Sequence, residues 1–312
     1  QGSRKESNQN IAPICLTNRK RMSCPMQNPT TNELTLVEMA VSGVITTPTI
    51  RPGQYIPHPD GRATVLPGMS GITYNVRCGD RAFGWAGDHF EPGVSIDDDR
   101  NLGRHHALHY LNCIGNEAMV TSGMAAGERG IVIGEHARIL VQFLPEAHDI
   151  MAPGDRIQVM TKGQGLALND YPGVALKKMS PRLFHAMGIT ENAGRLHVNV
   201  AMELPVRIMG SGAELNSEYV DQDLMSGDRA LMAELGIDQM RLGDVIAIRH
   251  ADHHWGRSYR EGAVSICLCI HGDSIMTGHG PGILTLMTAR DGEIDFTTNP
   301  SANITQLLNI GA

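Results

Sequence analysis

The chain has 312 residues, enough for two ordinary domains or one elaborated domain with a substantial core. Its 41% hydrophobic and 19% charged content is a normal globular mix, and a net charge of −7 without a basic stripe excludes a dedicated nucleic-acid binder. No segment approaches the roughly 18 apolar residues of a membrane span, and the first residues lack the order of a secretory signal. The expectation is a cytoplasmic protein with neither nucleic-acid nor membrane partners.

Residues 1–32 are rich in Asn, Gln, Thr and Pro, carry the basic cluster Arg19-Lys20-Arg21 and show no apolar periodicity, which reads as an extended polar arm. From Glu33 onward the texture alternates. "LTLVEMAVSGVIT", "RGIVIGEH", "ARILVQF", "DRIQVM", "LPVRIMG", "DVIAIRH", "AVSICLCIHG" and "GILTLMT" are short β-branched runs bounded by Gly, Pro or Asp. Gly154-Asp155 and Gly243-Asp244 each feed such a run, a turn that opens strands of small barrels. The fold expected is mainly β with a few short helices, in two barrel-like β units carrying glycine-rich polar loops. A barrel-like N-terminal domain over 33–175 and a β-rich C-terminal domain over 176–312 are expected.

Three helices are expected. "SPRLFHAMG" has Ser180 as cap, Pro181 at its first position and Gly188 as stop, and "SGDRALMAELG" repeats that logic to Gly236. "RHHALHYLNCIG", residues 104–115, is the third. The six cysteines have no CxxC spacing, and Cys267 with Cys269 would point into one strand layer as reduced core thiols.

The chemistry is concentrated in segments that mix Gly with His, Asp, Asn, Glu and Trp. The stretch 66–95 offers Asn75, Trp85, Asp88, His89 and Glu91. If it is extended, His89 and Glu91 share a face, and two of the three acid or imidazole groups bind a metal or form an acid–base pair. The other reading makes Asp88 a turn cap and His89 a partner of a backbone carbonyl. "CIGNEA" adds Asn116 and Glu117, either orienting substrate or closing a turn.

In "HADHHWGRSYREG", His250, Asp252 and His254 fall at i, i+2, i+4, a same-face triplet on a strand, while Asp252 with His253 would serve as adjacent loop ligands. Arg257 and Arg260 suit a substrate carboxylate or pair with Asp252 or Glu261. "HGDSIMTGHGPG" brings His271, Asp273, His279 and Gly280. Its Ser274 lacks the nucleophile-elbow pattern of serine hydrolases.

The segments "PGMSGITYNVRCGDRAFGWAGDHFEPGVS", "CIGNEA", "GQGL", "IMGSG", "GDVIAIRHADHHWGRSYREGA" and "HGDSIMTGHGPG", in this order, resemble a bacterial and archaeal family catalogued as domain of unknown function 4438. The resemblance spans roughly residues 33–310. It implies a β-rich, two-part, barrel-like and oligomeric protein and brings no catalytic residue with it. An analogy of composition, β-rich with His, Asp and Glu on glycine loops, links the chain to metal-dependent acetamidases and formamidases.

The function expected is metal-dependent hydrolysis of a small polar amide-like or carboxylate-bearing substrate, in a homo-oligomer. A divalent ion (Zn, Mn or Mg) would be held by Asp88, His89, Asp252 and His253 or His254, with His279 a further candidate. Glu91 or Glu117 would act as general base. Asn75, Trp85, Asn116, Arg257 and Gly280 would contact substrate. The alternatives are a metal-free lyase or isomerase using a His/carboxylate pair, and a small-ligand binding or assembly protein. The site requires residues 85–95 and 250–260 to share one cavity.

Overall fold

The structure, a computed structural model, describes residues 28–50, 56–57, 60, 63–98, 100–212 and 221–310. The expected arm up to residue 27, with Cys15, Cys24 and the basic cluster, lies outside the described residues. Residues 30–32 are anchored, Asn32 N–H donating to Ala167 O at 3.1 Å and Asn169 N–H to Thr30 O at 3.0 Å.

The alternating runs of the first half form β1 (Met39–Ile45), the short pair β2 (Ile56–Pro57) and β3 (Ala63–Thr64), β4 (Val94–Asp97), β5 (Glu117–Val120), β6 (Arg129–Glu135), β7 (Ile139–Phe143) and β8 (Arg156–Thr161). Six of them close into a barrel in the order β1-β4-β7-β6-β5-β8, antiparallel throughout. On β8, Ile157, Val159 and Thr161 are buried while their neighbours are not, as a strand with one core face requires. β7 is buried along its whole length, so both of its faces are covered. Helix α1 (Leu102–Leu111) begins two residues before the stretch expected for it, because Asn101 caps it by accepting from Arg104 N–H at 2.9 Å. A four-residue helix, α2 (Pro145–His148), follows β7.

The second half contains β9 (Ala175–Leu176), α3 (Pro181–Ala186), β10 (Thr190–Asn192), β11 (Arg195–Val200), β12 (Met202–Leu204), β13 (Met209–Gly212), β14 (Gln222–Leu224), α4 (Arg229–Glu234), β15 (Val245–Asp252), β16 (Ser258–His271), β17 (Gly282–Ala289), β18 (Ile294–Thr298) and α5 (Ile304–Leu307). Its large sheet runs β12-β15-β16-β17-β14-β13, with β9 added to β17, and curls into a half-barrel. β10, β11 and β18 make a small separate sheet. The run "LPVRIMG" is not one strand: Pro205 has no N–H to give a ladder, and a 3-10 turn over Val206–Ile208 separates β12 from β13. The expected cap of α3 forms, Ser180 Oγ accepting from Leu183 N–H, while α4 is capped by Asp228, which accepts from Leu231 N–H two residues beyond Ser226. Among the described residues no helix is long and apolar enough to cross a membrane.

One core joins the two sheets. Val132, Ile139 and Val141 of the barrel belong to the same apolar cluster as Ile266, Leu268, Ile270, Leu284 and Leu286 of β16 and β17. The other face of β16 presents Cys267 and Cys269, both reduced and buried as expected, to a second cluster with Val76, Phe90 and Leu224.

The two Gly-Asp turns are built alike. In each, the Asp carboxylate accepts the N–H three residues back, Ala152 and Arg241 respectively, and the Gly N–H donates across to a neighbouring strand, at Ile45 O and Cys269 O. Both glycines are left-handed, but a Cβ on Gly154 meets open space while one on Gly243 would lie 2.5 Å from Cys78 Sγ and 2.9 Å from Ile304 Cγ1. Gly154→Ala should therefore cost about 1–2 kcal/mol of backbone strain, and Gly243→Ala a further ~1–3 kcal/mol of overpacking, measured by urea unfolding. Equal losses would contradict the packing argument.

Candidate metal centre

Asp221 and Asp223 bracket Gln222, with Gln222 and Asp223 opening β14. Alternation along the chain sends both acids to one side. Asp223 is buried, and its two carboxylate oxygens face different imidazoles. Oδ2 lies 2.5 Å from His279 Nδ1 and 3.2 Å from His89 Nε2, and those two nitrogens are 3.1 Å apart. Oδ1 lies 3.2 Å from His271 Nε2, which is also 2.9 Å from Asp221 Oδ2. His136 completes this second group, with one ligand atom each from His136, Asp221 and His271 falling within 4.8 Å of one another. Four histidines and two aspartates thus form two adjoining triads, and Asp223 of the first also reaches His271 of the second.

The outward nitrogens are held. His89 Nδ1 is 3.2 Å from Asp88 Oδ2, His136 Nδ1 is 2.8 Å from Glu91 Oε1, and His271 Nδ1 donates to Gly272 O at 2.8 Å. Fixing Nδ1 on a carboxylate or carbonyl leaves Nε2 facing the centre, the arrangement that orients metal-binding histidines. Ligand atoms about 2.0–2.1 Å from a tetrahedral ion are about 3.3 Å apart, which two edges of the triangle of His89, His279 and Asp223 approach at 3.1 and 3.2 Å, while the Asp223–His279 edge is drawn in to 2.5 Å.

Electrostatics agree with the geometry. Burial opposes the charge on Asp223, yet hydrogen bonds from His271, His279 and His89 win and hold its carboxyl far below the usual range. Burial likewise opposes charge on His89 and His271, and their carboxylate partners raise both imidazoles above the ordinary value. The acids demand positive charge, which protons or a cation can supply.

The backbone brings the barrel loop to this sheet. His89 N–H donates to Asp273 O, Gly272 N–H to Phe90 O and Asp273 N–H to Ala82 O, all at 2.8–2.9 Å. His89 adopts a left-handed φ of 48°, so the condition under which His89 and Glu91 would share a face, an extended segment, is not met. In consequence Asp88 and His89 contact each other, and Glu91 stands behind His136 instead of sharing a face with His89. A cavity of about 210 Å³ opens beside the cluster, lined by Asp88, His89, His136, Asp221, Asp223 and His279 on one side and by Ile50, Val65, Leu66, Met69 and Met276 on the other.

Of the residues expected to act, Asp88, His89 and His279 meet here. Glu91 is committed to His136, Ser95 Oγ and Ser70 N–H. Glu117 is exposed on β5 between Arg182 and Arg129. Asn116 closes a turn, accepting from Cys113 N–H and donating to Lys162 O. Asn75 and Trp85 line a neighbouring cavity of about 370 Å³ that contains none of the six cluster residues. Gly280 packs its Cα against Leu224 O. Ser274 Oγ donates to Asp88 Oδ1 at 2.7 Å and is a prop, not a nucleophile.

The segment 250–260 does not line the cavity of Asp88 among the described residues. A bulge after Arg249, with His250 at φ 61°, breaks the alternation that would align His250, Asp252 and His254. His250 accepts from Gly262 N–H, and Asp252 is held by His254 at 2.8 Å and Arg290 at 2.7 Å. Arg257 donates to Gly210 O, and Arg260 pairs with Asp291. His253 is buried, with Nδ1 2.8 Å from Thr285 Oγ1.

The members of the cluster not anticipated as site residues are His136, Asp221, Asp223 and His271. The signals were the D-x-D of "VDQDL" and the histidines ending two strands.

Burial, reinforced by Arg257 and Lys177 and only partly offset by Asp252, pushes the His253 imidazole down to about 4. Below pH ~6.5 the unfolded chain then binds a proton that the native state refuses, so this contribution to stability falls as pH drops toward 4. Between pH 7 and pH 5 the native chain should lose about 2 kcal/mol more than His253→Asn in urea titrations. Parallel losses would show that the imidazole is solvated.

The family model "Domain of unknown function (DUF4438), N-terminal" matches residues 55–185, and its C-terminal counterpart matches residues 186–308. No curated protein matches the chain. A crystal structure described as that of TM1086 aligns with a TM-score of 0.84 at 39% sequence identity, covering 89% of this chain and 99% of that one. Family models spanning most of the chain, together with this relative, make the chain a member of the DUF4438 family.

Proposed function

We propose that the chain is a two-metal hydrolase acting on a small amide-like compound. The observation that carries this reading is the division of the Asp223 carboxylate between two His-containing triads, with Oδ2 on His89 and His279 and Oδ1 on His271. A carboxylate so divided could serve two ions at once, and such ions would lower the pKa of a bound water and polarise a carbonyl. His89, His279 and Asp223 hold one ion, and His136, His271, Asp221 and Asp223 the other.

The wall of Ile50, Val65, Leu66, Met69 and Met276 suits an apolar substituent next to the scissile bond. Arg257 is engaged by the Gly210 carbonyl, which favours an amide-like substrate over one anchored through a carboxylate. The cavity volume of about 210 Å³ limits that substrate to a small molecule.

Protein purified without added metal should carry about two ions of Zn, Mn or Mg in this centre. It should hydrolyse members of a panel of short aliphatic amides, with activity lost on chelation and restored by the ion. Asp223→Asn should lower activity by roughly 10²–10³-fold and empty both positions. An absence of bound metal, with activity unaffected by chelator, would overturn the reading in favour of metal-free acid–base chemistry by the Asp88–His89 pair.

A Cβ on Gly282 would lie 2.0 Å from His271 Nε2, and that ring is fully buried. Gly282→Ala should therefore displace His271 and remove one ion while leaving the His89–His279 ion in place, as read by metal analysis. Retention of both ions would show that His271 is not a ligand.

A further inference from the structure

A second group of metal-binding side chains lies in the barrel, away from the cavity just described. Helix α1 carries His105 and His109 four residues apart, and strand β4 ends on Asp97. Residues at i and i+4 share one helical face, the spacing by which two histidines of a single helix bind zinc. Here that face meets the end of β4. Asp97 Oδ1 lies 2.8 Å from His105 Nδ1 and 3.4 Å from His109 Nε2, and the three ligand atoms fall within 4.8 Å of one another.

The surroundings repeat the logic of the main centre. His109 Nδ1 is 2.7 Å from Glu135 Oε1, so a buried carboxylate fixes the ring with Nε2 directed at Asp97, as Glu91 fixes His136. Glu135 is neutralised by Lys178, whose Nζ is 2.5 Å from Oε2 and also donates to His109 O. Arg138 approaches the other oxygen of Asp97, Oδ2, at 3.3 Å, which leaves Oδ1 on the side of the imidazoles. His109 and Glu135 are 1% exposed and Asp97 7%, whereas His105 is 22% exposed and opens the group toward solvent. Glu135 ends β6 and His136 opens the turn after it, so consecutive residues serve the two groups.

We propose that Asp97, His105 and His109 form a separate mononuclear site for a borderline divalent ion such as Zn²⁺. Two imidazoles and one carboxylate supply three ligands and leave the fourth position to water. The ion ties α1 to β4, so its binding adds to the stability of the barrel. The site shares no ligand with the two-metal centre.

Zinc titration of the chelator-treated, full-length chain tests this, with bound metal counted after removal of the excess and Tm recorded alongside. The expected counts are three ions for the native chain, two for His105→Gln and for Asp97→Asn, and one for Asp223→Asn. Zinc should raise the Tm of Asp223→Asn but raise it no further when His105→Gln is added to that variant. Circular dichroism confirms that α1 persists in the variants. Counts and Tm shifts that do not change on replacing His105 or Asp97 would overturn this site and leave the two-metal centre intact. A single ion in the native chain, lost with His105 and kept with Asp223→Asn, would sustain this site and overturn the two-metal centre.

Discussion

Everything in the site follows from the cost of burying the Asp223 carboxylate. An ionised acid removed from water loses several kcal/mol unless its lone pairs are met by donors or a cation. Asp223 meets three imidazoles, and each of those in turn needs its far nitrogen satisfied. Asp88 and the Gly272 carbonyl do this for His89 and His271, and Ser274 with the Ile275 N–H then satisfies Asp88. Such a chain of obligations reaches from β14 to the barrel loop at Asp88 and on to Ser274 and Ile275. Removing a member leaves a buried charge uncompensated, which is costlier than the loss of the one bond.

That network also explains the backbone around it. Holding His89 against the sheet requires a left-handed φ at a residue with a Cβ, and the barrel loop must lie so close to β16 that Gly272 and Phe90 leave no room for a methyl group. Strain of this kind persists only where surrounding contacts over-determine it. Here three backbone hydrogen bonds between residues 82–90 and 272–273 do so, and a continuous apolar core holds both sheets in register behind them.

The opening between the cluster and the apolar wall divides the labour of the pocket. Polar chemistry comes from chain segments fixed by hydrogen bonds, and shape comes from Leu66, Met69, Met276 and their neighbours. The His-rich stretch 250–260 plays a different part. Its His253 is a neutral imidazole sunk among Thr285 and Cys267, and Asp252 is an ion-pair hub for His254 and Arg290. Density of histidines in sequence marked a knot of structural bonds there, while the histidines that converge on Asp223 are dispersed over some 190 positions, from His89 to His279.

Strand positions, the cap of α3, the matching Gly-Asp turns and the reduced core cysteines were legible because each depends on residues within a few positions of one another. The same holds for Asp88, His89 and His279, whose glycine-rich settings advertise close approach. Pro205 interrupting a strand was local information too, though outweighed by the apolar alternation around it. By itself, then, the sequence determined a mainly β architecture with two barrel-like units and part of the His/Asp cluster. Only the tertiary structure decided that Glu91 supports His136, that the segment 250–260 lies away from the cavity, and that Asp221, Asp223 and His271 belong with His89. The reason is physical: strand periodicity tells which side a residue faces, but which distant strand end it meets depends on sheet order, and a single bulge such as that after Arg249 redirects every side chain beyond it.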